Sequence, residues 1–214
     1  MMGMGMGVGL GRRSRFATRA LTLVGYAGSS SGNPTLPEHQ AGDLIVVAAS
    51  ANTSATLPTA TDYTLLGEGA SGNSCALAFL TRTAPGPGTT VSLTGASGTR
   101  SVWIFRNAQV SDQAYVNLPT GTTMTWPALS NMGGADSFVC GYIMSRAAQT
   151  NIATAVAAAA TGLNTTRGST SGTTPSRWIG DTTAVTRTTF PGYAGTFDST
   201  TSGSCCGVFS VKFL

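Results

Sequence analysis

Charge of either sign is scarce in this chain. Only 9% of its 214 residues are charged, against about a quarter in an ordinary globular protein. Four of the twelve cationic residues are Arg12, Arg13, Arg15 and Arg19, so the rest of the chain is close to neutral. It has no basic face interleaved with aromatics, as a nucleic-acid-binding protein would. We interpret the arginines as solvated or paired with acidic groups of a partner, and expect no specific nucleic acid.

Histidine and metal-binding cysteine patterns are equally scarce. His39 is the only histidine, and no C-x-x-C spacing occurs among the four cysteines, so we expect no metal and no cofactor. Cys75 and Cys140 lie in apolar runs and are predicted to be buried thiols. Cys205 and Cys206 are adjacent, and neighbours on a strand point to opposite faces, so we expect no bond between them. The pattern indicates a reducing compartment and no structural disulfides.

Catalytic patterns are missing from the sequence as well. The eight carboxylates are scattered singly, whereas glycoside hydrolysis needs two that face each other across a cleft. Most of them stand beside glycine, serine or threonine, where an aspartate caps the backbone of a turn. His39 has no G-x-S-x-G element to supply a nucleophile. We expect a protein that is not an enzyme; an esterase or glycosidase would require a clustered acid–base pair.

Long hydrophobic segments are also absent. No run approaches the roughly eighteen apolar residues of a transmembrane helix, so we expect no membrane partner. The positive charges near the start follow the apolar stretch, whereas a secretory signal places them before it. These features favour a soluble product that is made or assembled in the cytosol.

Hydroxyl groups take the place of charge, with 34 threonines, 22 serines and 28 glycines. Threonine favours strands, and serine and glycine favour turns. Short apolar runs between turn residues predict about eight to ten strands and an all-β, antiparallel, jelly-roll-like sandwich, forming one domain over residues 20–214. The predicted strands are Ala20–Tyr26, Asp43–Ala49, Tyr63–Gly67, Ser74–Thr83, Thr89–Thr94, Arg100–Arg106, Met124–Trp126, Ser137–Met144, Trp178–Thr188 and Cys206–Leu214.

Three segments carry more particular expectations. Asp43–Ala49 is continuously apolar after its first residue, which predicts burial on both faces of the strand. Gly42 before it permits a tight turn, and Asp43 can accept backbone N–H bonds there. Ile152–Ala160 is predicted to be a short helix or a loop, and Thr161–Ser176 a long exposed loop.

The first 19 residues predict an extended arm. Residues 1–11 alternate glycine with apolar side chains and lead directly into the arginine cluster. Glycine opposes helix formation and lets another backbone approach closely, while alternate apolar side chains point one way on a strand. We therefore expect residues 1–19 to dock on a neighbouring subunit. The candidate contact residues are Met4, Met6, Val8, Leu10, Arg12, Arg13, Arg15 and Arg19.

Tryptophans offer a different kind of contact. Trp103 lies on an alternating strand and is predicted to be in the core. Trp126 and Trp178 flank polar loops and are candidate contacts for a glycan, with core or interface packing as the alternative.

The stretch Leu36–Val47, LPEHQAGDLIVV, resembles structural proteins of tailed bacteriophages, of the tail-fibre or minor virion kind. In these, a proline and a polar, histidine-containing turn precede a strand that begins Gly-Asp. The resemblance extends over roughly residues 20–110, through Tyr63–Leu66, Arg82 and the V-W-I-F-R-N run at Val102–Asn107. It implies a β-sandwich virion component that is commonly oligomeric and has no catalytic activity.

Two functions follow as hypotheses. The first is a structural component of a phage tail or tail fibre, with a capsid decoration or head-fibre protein as the alternative position. Its expected partners are other virion structural proteins and copies of the same chain, a trimer being favoured, in a virion assembled in the host cytoplasm. The second is a carbohydrate-binding module for host-surface glycans, using the loops around Trp126, Asn164–Ser176 and Trp178.

Overall fold

A computed structural model of the chain describes residues 19–29, 32–51, 57–71, 75–96, 100–118, 120–146, 165–169 and 176–214. Regular structure in these ranges is entirely β, which confirms the predicted all-β class. The strands are β1 Thr22–Ser29, β2 Leu44–Ala51, β3 Thr59–Ala60, β4 Thr64–Ser71, β5 Cys75–Thr83, β6 Leu93–Thr94, β7 Arg100–Arg106, β8 Ala108–Leu118, β9 Gly121–Trp126, β10 Asp136–Ser145, β11 Thr165–Ser169, β12 Ser176–Gly180, β13 Val185–Thr186, β14 Tyr193–Thr201 and β15 Ser204–Phe213.

Two antiparallel sheets form the sandwich, and each is built from one half of the chain. The first sheet has the strand order β1-β7-β2-β5-β4, and the second has the order β11-β12-β10-β15-β8, with β13 also paired to β10. Asn107 alone connects the last strand of the first sheet to the first strand of the second. The antiparallel prediction is confirmed, whereas this strand order does not confirm the jelly-roll-like description.

An aromatic core lies between the two sheets. The Phe209 ring on β15 meets the rings of Phe79 on β5 and Trp103 on β7 edge to face, at centroid distances of 5.2 and 5.3 Å. Each such pair contributes about 0.5–1.5 kcal/mol beyond its buried area. Trp103 is 2% exposed, which confirms its predicted place in the core. Other buried members come from both sheets: Leu44, Val46, Leu77, Phe105, Phe138, Tyr142 and Val211.

The outer faces of both sheets are covered too. Over the first sheet, connecting segments pack on a cluster that includes Ile45, Val47, Leu80, Val102 and Ile104. Over the second sheet, β9 and neighbouring loops pack on a cluster that includes Val139, Ile143, Ile179 and Val208. A strand covered on both faces has no need for alternating polar residues. All eight residues of β2 are buried, which confirms the prediction of two-sided burial there.

Several strands differ from those predicted. The predicted strands do not include β8 or β14. β14 mixes polar and apolar residues without a clean alternation and is held by pairing with β9, whereas β8 alternates with one interruption at Asp112 and pairs along β15. The predicted loop Thr161–Ser176 is wrong in part, since β11 lies within it and pairs with β12.

The predicted strand Thr89–Thr94 shortens to β6, Leu93–Thr94. The N–H of Val91 donates to the carbonyl of Pro34 at 3.2 Å, and the N–H of Leu93 donates to the side chain of Asn33 at 3.0 Å. These backbone N–H groups therefore bond to the loop at Asn33–Pro34 instead of to a neighbouring strand. The predicted strand Trp178–Thr188 is likewise split into the short strands β12 and β13.

All four cysteines are buried thiols, which confirms the prediction for Cys75 and Cys140. Cys205 belongs to the core between the sheets, and Cys206 belongs to the cluster on the outer face of the second sheet. Adjacent strand residues point to opposite faces, so the predicted absence of a Cys205–Cys206 bond follows from their positions.

Two predictions fall on other parts of the chain. Residues 1–18 of the arm and the predicted helix or loop at 152–160 lie outside the described residues. Across the part of the chain that the structure describes, no helix has the length and apolar character needed to cross a membrane.

Candidate assembly site at the root of the arm

Arg19, the last residue of the predicted arm, lies at one end of the sandwich, beside the connection between the two sheets. Thr22 pairs with Arg106 at the start of β1, which places Ala20 next to Asn107. Phe213 pairs with Ala108 at the end of β15, which places Leu214 at the same point. Strand register therefore brings together the arm root and the last two residues of the sequence. We call this region, comprising Arg19–Leu21, Asn107 and Phe213–Leu214, the arm-root end.

Asn107 fastens the arm-root end with its side chain and its backbone. Its Nδ2 donates a 2.9 Å hydrogen bond to the carbonyl of Ala20, and its own carbonyl accepts a 3.0 Å bond from the N–H of Leu214. Its φ angle is 55°, in the left-handed region. Asparagine tolerates this region far better than most residues do, because its short polar side chain can bond locally. One residue thus turns the chain between sheets and holds both neighbouring segments.

Two open grooves flank the arm root. A polar groove of about 360 Å³ is lined by Arg19, Gln40–Asp43, Arg106, Asn107 and Leu214. A more apolar groove of about 320 Å³ is lined by Arg19–Leu21, Asp136, Ala184 and Phe213. Arg19 borders both grooves, so the first described residue of the chain lies between them.

Exposed apolar side chains concentrate at this end. Among the described residues, the large exposed hydrophobics are Leu65, Phe213 and Leu214, at 47%, 43% and 66% exposure. Two of the three therefore border the grooves at the arm root. Exposed apolar side chains beside grooves are candidate contacts for a partner, whereas the isolated Leu65 is not informative.

Asp43 and Arg106 form the wall of the polar groove. The guanidinium donates two 2.9 Å bonds to the two carboxylate oxygens, and the backbone N–H of Gln40 donates a third at 2.9 Å. Burial by itself raises the pKa of Asp43, but the bonds from Arg106 and Gln40 outweigh it, and the pKa lies below its ordinary value. Gly42 turns the chain into β2 at a φ of 89°. The predicted turn and backbone bond are confirmed.

A further groove of about 340 Å³ adjoins this wall on the side of His39 and Glu38. His39 is 7% exposed, and its Nδ1 lies 2.8 Å from the carbonyl of Pro37. Glu38 is exposed at the rim. The histidine ring is thus engaged with the turn that precedes β2.

Other carboxylates bond to the backbone, to arginines or, for Asp136, to the hydroxyl of Thr186 at 2.6 Å. Asp112 accepts N–H bonds of 2.8 Å from Ser130 and Asn131. Asp181 accepts an N–H bond of 2.8 Å from Val139 and pairs with Arg187. These roles confirm the structural interpretation for both residues. Within the described ranges, no three His, Cys, Asp or Glu side chains come together as a metal site.

Trp126 corrects one expectation about glycan contacts. It is 1% exposed, in the cluster on the outer face of the second sheet, where a Cβ on Gly141 would come within 2.7 Å of its ring. The prediction of a glycan contact at Trp126 is therefore wrong, and the packing alternative is correct, because its side chain packs from β9 onto the outer face of the second sheet. The backbone of Trp178 pairs in β12, and its side chain lies outside the described part of the chain.

Of the predicted arm contacts, Arg19 is described, and it is exposed. Met4, Met6, Val8, Leu10, Arg12, Arg13 and Arg15 lie outside the described residues. Sequence reasoning did not identify Asn107, Phe213 or Leu214 as part of a site. The asparagine that ends the V-W-I-F-R-N run was a signal for a left-handed turn, but its partners are distant in sequence.

Comparison with known proteins gives no assignment: no protein-family model, no curated protein and no solved structure matches this chain.

Proposed function

We propose that this protein is a non-enzymatic structural component of a phage virion, associated with the tail or tail fibre and anchored to neighbouring subunits by its arm. The observation that carries the proposal is the arm-root end. Asn107 holds the arm root at a point flanked by two grooves and two exposed apolar side chains. The phage assignment is supported by the resemblance at Leu36–Val47 and Val102–Asn107.

The occupant that best fits the grooves is the arm of a second copy of the chain. Its alternating apolar residues match the apolar groove beside Phe213, and its glycines allow close backbone approach. Its arginines match the carboxylates at the rims, Asp136 and Glu38, both of which are exposed. Arm exchange between copies would join them into a closed oligomer, a trimer being favoured, without a large flat interface.

Low charge supports the same function. A surface made mainly of threonine, serine and glycine loses little when neighbours cover it, whereas buried charges must be desolvated or paired. In a particle, most of the subunit surface is covered by other subunits.

The test is incorporation into particles. Phage particles are assembled with the full chain or with a chain lacking residues 2–15, purified, and assayed for the protein by quantitative mass spectrometry. We expect loss of most of the incorporated protein on deletion, with the deleted chain still folded by circular dichroism. A control variant replaces Arg82, which lines neither groove, by Ser and should keep normal incorporation. Normal incorporation of the folded, armless chain would overturn the arm's role, and absence of the full chain from purified particles would overturn the virion assignment.

A further inference from the structure

Two of the four buried cysteines meet across the sandwich. Cys75 is the first residue of β5 in the first sheet, and Cys205 is the second residue of β15 in the second sheet. Both have 0% exposure and belong to the core between the sheets. Their Sγ atoms lie 2.8 Å apart, and a disulfide bond is about 2.05 Å long, so an approach of less than about 1 Å would join them.

The positions of these residues favour such an approach. Cys75 begins β5 and pairs with Ser71 at the end of β4, whereas Cys205 is paired on both sides, with Met144 and Asn117. The Cys205 Sγ also lies 3.4 Å from the carbonyl of Cys75, so it already packs against the backbone of its partner. Small rotations of the two side chains would therefore suffice, without a change in strand register.

The other two thiols are placed differently. Cys206 points to the outer face of the second sheet, away from Cys205. Burial raises the pKa of both Cys140 and Cys206 well above the ordinary value, and the Asp181 carboxylate adds to the effect at Cys140. Cys75 and Cys205 are equally buried, so the 2.8 Å approach of their sulfurs is what singles out this pair.

We infer that Cys75 and Cys205 are an oxidisable dithiol, a site at which a disulfide joins the two sheets under oxidising conditions. This goes beyond the proposed function and does not depend on it. In a reducing cytosol the pair stays as thiols, as the sequence predicts; the bond forms after the protein meets an oxidising environment or folds in one.

The oxidant is a low-molecular-weight disulfide such as oxidised glutathione. The Cys75 thiolate attacks one glutathione sulfur, which forms a mixed disulfide and releases one glutathione thiolate. The Cys205 thiolate then attacks the Cys75 sulfur, forms the Cys75–Cys205 bond and releases the second glutathione. Two electrons pass from the protein to glutathione, and the two protons lost by the cysteines protonate the two released thiolates.

Because both sulfurs are fully buried, the mixed disulfide requires a chain that is folding or locally open. Once formed, the bond is protected by the core. It closes a loop between residues 130 apart in sequence, and long loops gain the most from closure because the unfolded chain loses more freedom.

The experiment uses the full chain, refolded from denaturant with either oxidised glutathione or a reductant. After refolding, the protein is denatured, alkylated and weighed, and its tryptic peptides are mapped. We expect four alkylated cysteines in the reduced sample and two in the oxidised sample. The oxidised form should melt about 5–15 °C higher, a shift that a reductant abolishes.

Peptide mapping of the unaltered chain assigns the bond to Cys75 and to one of two adjacent cysteines. Cleavage after arginine and lysine gives one peptide, 20–82, with Cys75 and another, 188–212, with both Cys205 and Cys206. A Cys206→Ala variant removes that ambiguity and should keep the cross-link and the melting shift, whereas Cys75→Ala should lose both. Four alkylated cysteines after oxidation, or a cross-link that involves Cys140 or Cys206 instead, would overturn the inference.

Discussion

Asn107 stabilises the arm-root end in two ways, by a side-chain hydrogen bond and by its tolerance of a left-handed backbone, and substitutions can separate the two. Alanine removes the 2.9 Å bond from Nδ2 to the carbonyl of Ala20 and must also adopt a φ of 55°. The left-handed conformation costs a residue with a Cβ about 1–2 kcal/mol. The lost bond is partly exposed to solvent, so its net worth is about 0.5–1 kcal/mol. Asn107→Ala should therefore lower the free energy of unfolding by about 2 kcal/mol.

Glycine at the same position is the matched control. Asn107→Gly loses the same hydrogen bond but adopts the left-handed conformation without a steric cost, so we expect a loss of about 1 kcal/mol. Urea denaturation measures both differences. Asn107→Ala and Asn107→Gly of equal stability would refute the conformational part of the reasoning.

The arm root supplies a second measurement on the same variants. With Ala20 no longer held, the bond after Arg19 becomes a better substrate for trypsin, and mass spectrometry follows the fragment that starts at Ala20. Both variants should release it faster than the original chain does, and to a similar extent, because both lack the side-chain donor. An unchanged rate in both would show that Asn107 does not hold the arm root.

Three further predictions concern stability. Asp43→Asn should lower the free energy of unfolding by about 2 kcal/mol, and Asp181→Asn by roughly 3–5 kcal/mol. The difference is expected because the arginine partner of Asp43 is 38% exposed and that of Asp181 only 14%. Urea denaturation of both variants checks the order, and the reverse order would contradict it. The pKa of Asp43 is lowered in the folded protein. The contribution of its carboxylate to stability is therefore complete above the unfolded pKa of about 3.9 and is lost as the pH falls through the lower folded pKa. The original chain and Asp43→Asn should converge in stability as the pH falls below about 4. Gly192→Ala should lower Tm by several degrees, since Gly192 has a φ of 71° and a Cβ there would lie 2.5 Å from the carbonyl oxygen of Trp126; Gly86→Ala, with open space around it, should leave Tm unchanged.

Parts of the fold could be predicted wherever the residues of a single strand or turn determine its structure. The continuous apolar run in β2 requires two covered faces, and the structure supplies them. Gly42 and Asp43 form a turn whose bonds are local, so their roles could also be predicted. By contrast, β8 is not among the predicted strands, because Asp112 interrupts its alternation; pairing along β15 holds it as a strand. That contact joins residues nearly a hundred positions apart, which periodicity does not report.

The same distinction applies to the candidate site. Arg19 could be selected from the sequence because of the glycine-rich run and the charges beside it, and its role in an arm stays a prediction. Asn107 could not, because its significance comes from Ala20 and Leu214, brought to it by the registers of β1 and β15. Trp126 was misjudged because its position next to a polar loop says nothing about which face of β9 meets the sheet.

The account depends most directly on whether the arm joins copies of the chain. Sedimentation velocity of the full chain and of a chain lacking residues 2–15, at matched concentrations, measures this. We predict an oligomer for the full chain, a trimer being favoured, and a folded monomer after the deletion. A full chain that sediments as a monomer would contradict the claim that the arm docks on a neighbouring copy.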